Sequence, residues 1–187
     1  MKRTSATASA FARLAVALTG LLICAAAPLT HAAEKAHQHG AAKLDIAVEA
    51  TKLTLELECP LDNLLAFERA PRTDAERKQA DAAVARLRAG DAMFKVDPAA
   101  QCTLAKVELA SAALKLGQPD AKDDKEGHAD IDATFEFNCI DAGKAGYIDV
   151  GLFDFKRLQR LEVQVATPRG QFKRDLKRPA TRIVLSK

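Results

Sequence analysis

The chain has 187 residues, enough for one ordinary domain or for a smaller domain with a targeting segment. Its hydrophobic fraction of 48% excludes a chain that is disordered throughout. The net charge of +3 arises from residues 1–32, and the rest of the chain has 25 basic and 25 acidic side chains. With only eight Phe, one Tyr and no Trp as well, we expect no nucleic-acid partner.

Residues 1–32 are typical of a secretory signal peptide, because two basic residues precede a mostly apolar segment that ends in small residues. The uninterrupted apolar run 21–27 is too short to span a bilayer, which takes about 20 residues. We predict cleavage after Ala32 or Ala33, a periplasmic location and no transmembrane span in the mature form. The alternatives are an uncleaved membrane anchor and a lipoprotein modified at Cys24.

Residues 33–42 are small and polar and contain His37 and His39, which predicts a flexible arm. Segments 43–49 and 53–58 each alternate apolar and polar residues, as strands with one buried face do. Because a short polar connection separates them, they predict an antiparallel hairpin.

A helix is predicted over about 73–89. Thr73 followed by Glu76 forms a capping-box pattern, and Gly90 is a candidate stop. The apolar stripe of this helix is narrow and rich in alanine: Ala80, Ala83, Val84 and Leu87. Such a stripe favours a helix that covers a sheet.

The remaining strands alternate in the same way, most clearly over 128–139. A strand or a strand pair is predicted at 102–116, and further strands at 147–153, 161–166 and 182–185. A polar loop is predicted at 117–127 and a turn at 168–170. The fold class is therefore α+β: one domain over 43–187, with a mainly antiparallel sheet and one principal covering helix.

Three cysteines remain once the signal peptide is removed, and they allow three pairings. We favour a disulfide between Cys102 and Cys139, because both lie on predicted strands that flank the most polar stretch. Cys59 is then the odd thiol, and we expect it to be half-buried and structural. No C-x-x-C pattern points to a cysteine metal or redox site.

The patterns of the best-defined enzymes are missing: G-x-S-x-G, the P-loop, G-x-G-x-x-G and H-E-x-x-H do not occur. We therefore predict that the protein is not an enzyme and has no catalytic residues. The spacing of His37 and His39 places two imidazoles on one side of an extended arm, and imidazole suits Zn²⁺, Cu²⁺ and Ni²⁺. His128 and Asp130 share one strand face and would complete a mixed metal site if the arm lies along that strand. The alternative is that these histidines are only solvated.

The order and spacing of several segments resemble the ZrgA-type periplasmic zinc-uptake proteins, a family long catalogued as a domain of unknown function. The resemblance covers residues 37–187. It rests on His37-Gln38-His39-Gly40-Ala41-Ala42, residues 63–73, the two cysteines around a polar insert, His128-Ala129-Asp130, Phe135-Glu136-Phe137-Asn138-Cys139 and Thr167-Pro168-Arg169-Gly170-Gln171.

The resemblance implies a bacterial periplasmic protein that binds zinc and assists its acquisition beside a high-affinity importer. This sequence departs from the family in two places. The insert 117–127 lacks the histidines that relatives carry there, and Arg69 stands where relatives often have His. The retained positions define the predicted metal site: His37, His39, His128 and Asp130.

Two functions follow from the sequence. The first is a non-catalytic periplasmic accessory that binds a divalent metal, expected to be zinc, and passes the ion to an importer component or buffers it. The alternative is a metal-independent envelope interaction module that uses the basic C-terminal segment 156–187. That segment has ten basic and two acidic residues, which could instead pair with acids of the same domain.

Overall fold

The computed structural model describes residues 39–117 and 129–185. The predicted signal peptide, residues 33–38 of the arm, His128 and most of the polar loop lie outside these ranges. All described residues belong to one unit of the chain, residues 36–187. Among them, no helix is long and apolar enough to cross a membrane.

The described chain is mostly β-sheet. Its strands are β1 Ala41–Val48, β2 Lys52–Pro60, β3 Phe94–Val96, β4 Cys102–Ala110, β5 Asp130–Cys139, β6 Tyr147–Val150, β7 Arg160–Thr167, β8 Gly170–Lys177 and β9 Arg182–Val184. Its α-helices are α1 Leu61–Leu65, α2 Asp74–Arg88 and α3 Gly90–Met93. Six strands form a sheet in the order β4-β5-β2-β1-β7-β8, and three form a second sheet in the order β3-β6-β9.

The predicted hairpin is confirmed as β1 and β2, which pair antiparallel with Leu44 opposite Leu57 and Ile46 opposite Leu55. These side chains are buried, and alternate residues between them on β1 are exposed. β1 begins at Ala41, two residues earlier than predicted, because it also pairs in parallel with β7 from Ala41 opposite Arg160. The sheet is thus mixed, and the domain is richer in strand than the α+β prediction implies.

The helix prediction is confirmed by α2 and its capping box. The Glu76 N–H donates to Thr73 Oγ1 at 3.1 Å, and the Thr73 N–H donates to Glu76 Oε2 at 3.3 Å. Arg69 also bonds both carboxylate oxygens of Glu76, at 2.7 and 2.9 Å. The residue that departs from the family pattern is therefore tied to the start of this helix.

Gly90 does not end the helix by adopting a left-handed conformation, as a glycine stop would. It begins α3 and lies against the core, where an added Cβ would come within 2.8 Å of Phe135 Cδ1. Phe135 in turn packs edge-to-face on Phe94, with ring centroids 4.8 Å apart. Gly90 is required here for close packing between α3 and β5.

The predicted disulfide is confirmed. Cys102 lies opposite Cys139 in the β4–β5 pair, and the two sulfur atoms are bonded at 2.04 Å. In the chain-entropy model, closing the loop between Cys102 and Cys139 stabilises the fold by about 4 kcal/mol. The bond ties the edge strand β4 to the interior of the six-stranded sheet.

Several elements differ from the sequence prediction. The segment 102–116 forms β4 only to Ala110, followed by a turn closed by a bridge between Ser111 and Leu116. The strand predicted at 147–153 ends at Val150. β8 was not predicted, because as an edge strand it buries Leu176 and exposes most of its other residues, so it lacks a regular apolar alternation.

Candidate functional site

The sheet topology brings distant parts of the chain to one end of the six-stranded sheet. β2 runs antiparallel to β1 and to β5, so the start of β1, the end of β2 and the start of β5 lie together. The start of β7 joins them, because β7 is parallel to β1. This end, which we call the His39 end, contains His39, Asp62, Asp130 and Arg157.

The backbone at the start of β1 is held by a buried amide. The Gly40 N–H donates to Asn63 Oδ1 at 2.6 Å, and Asn63 Nδ2 donates to the Ala41 carbonyl at 2.7 Å. The Gly40 carbonyl accepts the N–H groups of Gln159 and Arg160 at 2.8 and 3.0 Å. Residues 39–42 of the arm predicted as flexible are therefore fixed by these bonds and by β1.

Gly40 allows this approach because its φ is +81° and its backbone touches the segment before β7. A Cβ at this position would lie 3.4 Å from the Arg157 carbonyl. A side chain would strain the backbone there, because L-residues other than glycine rarely adopt this φ.

The His39 ring lies against two carboxylates. Its Nδ1 is 3.1 Å from Asp62 Oδ2 and 3.6 Å from Glu68 Oε1, while the imidazole remains 68% exposed. The Asp62 side chain is only 10% exposed. The described chain thus presents one solvent-facing imidazole whose Nδ1 faces negative charge.

Arg157 holds Asp62 in place. Its Nη2 donates to Asp62 Oδ1 at 2.9 Å and to Oδ2 at 2.6 Å, and its Nε donates to the Asp62 backbone carbonyl at 2.9 Å. Burial opposes the ionisation of Asp62, but the hydrogen bonds from Arg157 and His39 outweigh it and lower the pKa of this carboxyl below its ordinary value. Asp62 is therefore a fixed anion at neutral pH.

Cys59 on β2 and Asp130 on β5 are buried residues at this end of the sheet. Burial raises the pKa of the Cys59 thiol to about 12; a hydrogen bond with Asn63 lowers it in part, and the charge of Asp130 raises it further. Because the thiolate is the metal ligand and the nucleophile, this thiol suits neither role. It is fully buried, not half-buried as predicted.

Of the predicted site residues, the structure places His39 and Asp130 at the same end of the sheet, whereas His37 and His128 lie outside the described ranges. Asp130 is the first residue of β5, lies opposite Pro60 and is 8% exposed. Within residues 39–117 and 129–185, no group of three or more His, Cys, Asp or Glu side chains is arranged to hold a metal ion.

Asp62, Glu68 and Arg157 were missed by sequence analysis. Asp62 and Glu68 follow β2 in a segment without periodicity, and 95 residues separate Asp62 from Arg157. The one available signal was a carboxylate a few residues after the predicted strand 53–58, and that signal indicated no partner for it.

Several basic residues of the C-terminal segment are bonded within the domain. Arg160 pairs with Asp175 at 3.0 Å, and Arg182 pairs with Asp149 at 2.7 Å. Arg178 donates to three backbone carbonyls, those of Phe153, Phe155 and Leu158. These bonds favour the expectation that the segment pairs with its own domain, and they leave Lys173 and Lys177 as exposed charges on β8.

Comparison with curated proteins finds no match. A family model described as ZrgA family zinc uptake protein matches residues 36–185. The match spans both described ranges, from residue 39 through β9. The chain therefore belongs to the ZrgA family of zinc uptake proteins.

Proposed function

We propose that this protein is a non-catalytic periplasmic accessory that binds zinc and assists its acquisition or buffering. The observation that carries the proposal is the exposed imidazole of His39, whose Nδ1 faces Asp62 and Glu68. That contact leaves Nε2 as the ring nitrogen for an ion. Membership of a zinc uptake family supports zinc as the ion.

The chemistry of the His39 end suits a divalent cation. Neutral imidazole is a good ligand for zinc, and nearby carboxylates stabilise the charge of a bound ion. His37 adds a second imidazole two residues away along the chain, and we propose His128 and Asp130 as further ligands. The disulfide between Cys102 and Cys139 agrees with an oxidising compartment such as the periplasm.

An exposed site with few ligands suits transfer. A closed structural zinc site has four protein ligands, whereas an open site leaves a position for water or for a ligand of another molecule. We propose that a periplasmic component of a zinc importer supplies such a ligand. No chemical step is part of this function.

Calorimetric titration of the purified protein with zinc at pH 7.5 and at pH 5.5 tests the proposal. We expect binding at pH 7.5 and much weaker binding at pH 5.5, because histidine with an ordinary pKa of about 6.5 must lose its proton to bind a metal. His39→Ala and His37→Ala should each weaken binding. Gln38→Ala, which changes the arm without removing an imidazole, should not.

Two results would count against the proposal. One is the absence of zinc binding at pH 7.5. The other is binding that the two histidine variants leave at the strength of the Gln38→Ala control, which would place the zinc elsewhere.

A further inference from the structure

Two neighbouring residues of α1, Asp62 and Asn63, hold the His39 ring and the backbone that follows it. Asn63 bonds the backbone on either side of the Gly40–Ala41 peptide, and Asp62 contacts the imidazole ring at 3.1 Å. The helix also ends firmly, because the Ala66 N–H donates to the Asp62 carbonyl at 3.0 Å. One rigid turn therefore fixes where the histidine backbone lies and where its ring points.

We propose that Asp62 and Arg157 are positioning residues for zinc binding by His39: Asp62 accepts the Nδ1–H of the neutral imidazole, and Arg157 holds Asp62 for that contact. The inference rests on the proposed function, since it assigns Nε2 of His39 as the zinc-binding atom. Histidine ligands of metals commonly donate their other ring N–H to a carboxylate, which fixes the tautomer and makes the ligating nitrogen more basic.

Asp62 is suited to this role and poorly suited to ligate zinc itself. Both of its oxygens accept hydrogen bonds from Arg157, at 2.9 and 2.6 Å. A zinc ion on either oxygen would lie close to the guanidinium charge of Arg157, which repels a cation. The carboxylate therefore acts on the metal through the imidazole.

The geometry also separates Asp62 from Glu68. Glu68 Oε1 is 3.6 Å from His39 Nδ1, beyond the length of a good hydrogen bond, whereas Asp62 Oδ2 is within it at 3.1 Å. Asp62 accordingly selects the tautomer, and Glu68 adds negative charge nearby. Arg157 reaches Asp62 from the loop before β7. The strand pairing therefore brings Arg157, Asp62 and His39 together, with Asp62 in the middle.

The tautomer can be measured without metal. Nitrogen-15 NMR of the zinc-free protein at pH 8.5, where imidazoles are mostly neutral, distinguishes a protonated Nδ1 from a protonated Nε2. We expect His39 to carry its proton on Nδ1 in the wild type. Asp62→Ala should move the proton toward Nε2, and Asp62→Asn, which keeps a carbonyl acceptor, should retain the wild-type tautomer.

Zinc affinity supplies the second readout. Loss of the group that accepts the second ring N–H of a histidine ligand typically costs about 10–100-fold in metal affinity. We therefore expect this loss in Asp62→Ala, a smaller loss in Arg157→Ala and a partial rescue in Asp62→Asn. Glu58→Ala is the matched control, because it removes a carboxylate of the same sheet that is bonded to Lys43 and not to His39. It should leave the His39 tautomer unchanged and alter the affinity by less than Asp62→Ala.

The outcomes separate the two proposals. Zinc binding by the wild type, with an unchanged tautomer and an unchanged affinity in Asp62→Ala, overturns the positioning role and leaves the zinc function standing. An equal loss of affinity in Asp62→Ala and Glu58→Ala also overturns it, because the effect would then be one of overall charge. Absence of zinc binding by the wild type overturns both. If Asp62→Ala does not fold, the tautomer in Arg157→Ala decides: a proton that stays on Nδ1 with wild-type affinity overturns the role of Arg157.

Discussion

The guanidinium of Arg157 bonds both carboxylate oxygens of Asp62, although 95 residues separate the two along the chain. The pair joins α1, which follows β2, to the segment that leads into β7. It keeps an ionised carboxylate at a position where the side chain is only 10% exposed. The exposed imidazole of His39 lies on this fixed anion.

The Asp62–Arg157 pair predicts a pH dependence of stability. The folded-state pKa of Asp62 is lowered, so its contribution is present above the unfolded-state value of about 3.9 and is lost as the pH falls through the folded-state value. We expect Asp62→Asn to lower the free energy of unfolding by about 1–2 kcal/mol at pH 7. The difference from the wild type should shrink below pH 4. Denaturant unfolding of both proteins at pH 7 and pH 3 measures this, and an equal difference at both values would contradict it.

Cys59 is predicted to be chemically inert in the folded protein. It is fully buried and the pKa of its thiol is raised to about 12, so almost no thiolate is present at pH 8. In a protein without the predicted signal peptide and with the Cys102–Cys139 disulfide formed, a disulfide-exchange reagent should modify no thiol under native conditions and one thiol after denaturation. Cys59→Ala, as the control, should show no reactive thiol in either state. Rapid modification of the native wild type would be the contrary result.

Gly90→Ala should destabilise the fold by about 1–3 kcal/mol through overpacking. The new Cβ would come within 2.8 Å of a ring atom of Phe135 in the core. Gly143→Ala is the matched control, because its Cβ would meet only the Asp141 carboxylate, at 3.2 Å. Thermal or denaturant unfolding should separate the two variants, and equal small losses would show that α3 can shift away from β5.

Arg178→Ala should cost about 1–3 kcal/mol of stability, because it leaves the backbone carbonyls of Phe153, Phe155 and Leu158 without this donor. Lys173→Ala, which removes an exposed charge from β8, should change stability by less than about 0.5 kcal/mol. Unfolding curves of both variants make the comparison. A test of partner binding through segment 156–187 should accordingly use Lys173 and Lys177, since loss of binding in an Arg178 variant would also follow from unfolding.

Local signals in the sequence predicted the elements that depend on near neighbours. The β1–β2 hairpin followed from alternation across a short turn, and α2 followed from the Thr73–Glu76 capping pattern. The cysteine pairing followed from two predicted strands that flank one polar segment. In each case the residues that interact are close in sequence or belong to one hairpin-like unit.

The candidate site was predictable only in part. His39 was predicted as a ligand from its spacing with His37, and Asp130 from its face on the strand, and both assignments stay predictions. Asp62 and Arg157 were not identified, because nothing in their own neighbourhoods indicates that they meet. The parallel pairing of β1 with β7 brings them together, and it joins segments more than 100 residues apart.

The sequence by itself determined the periodic strands, the capped helix, the disulfide-forming pair and the family resemblance, because each is encoded in short-range pattern and residue order. Tertiary structure alone decided that Arg157 reaches Asp62 and that Asp62 faces His39. It also decided that residue 90 must lack a side chain so that Phe135 can pack against it. Those contacts depend on strand order and on the space left between packed elements. Both are properties of the whole folded chain, and no local segment carries them.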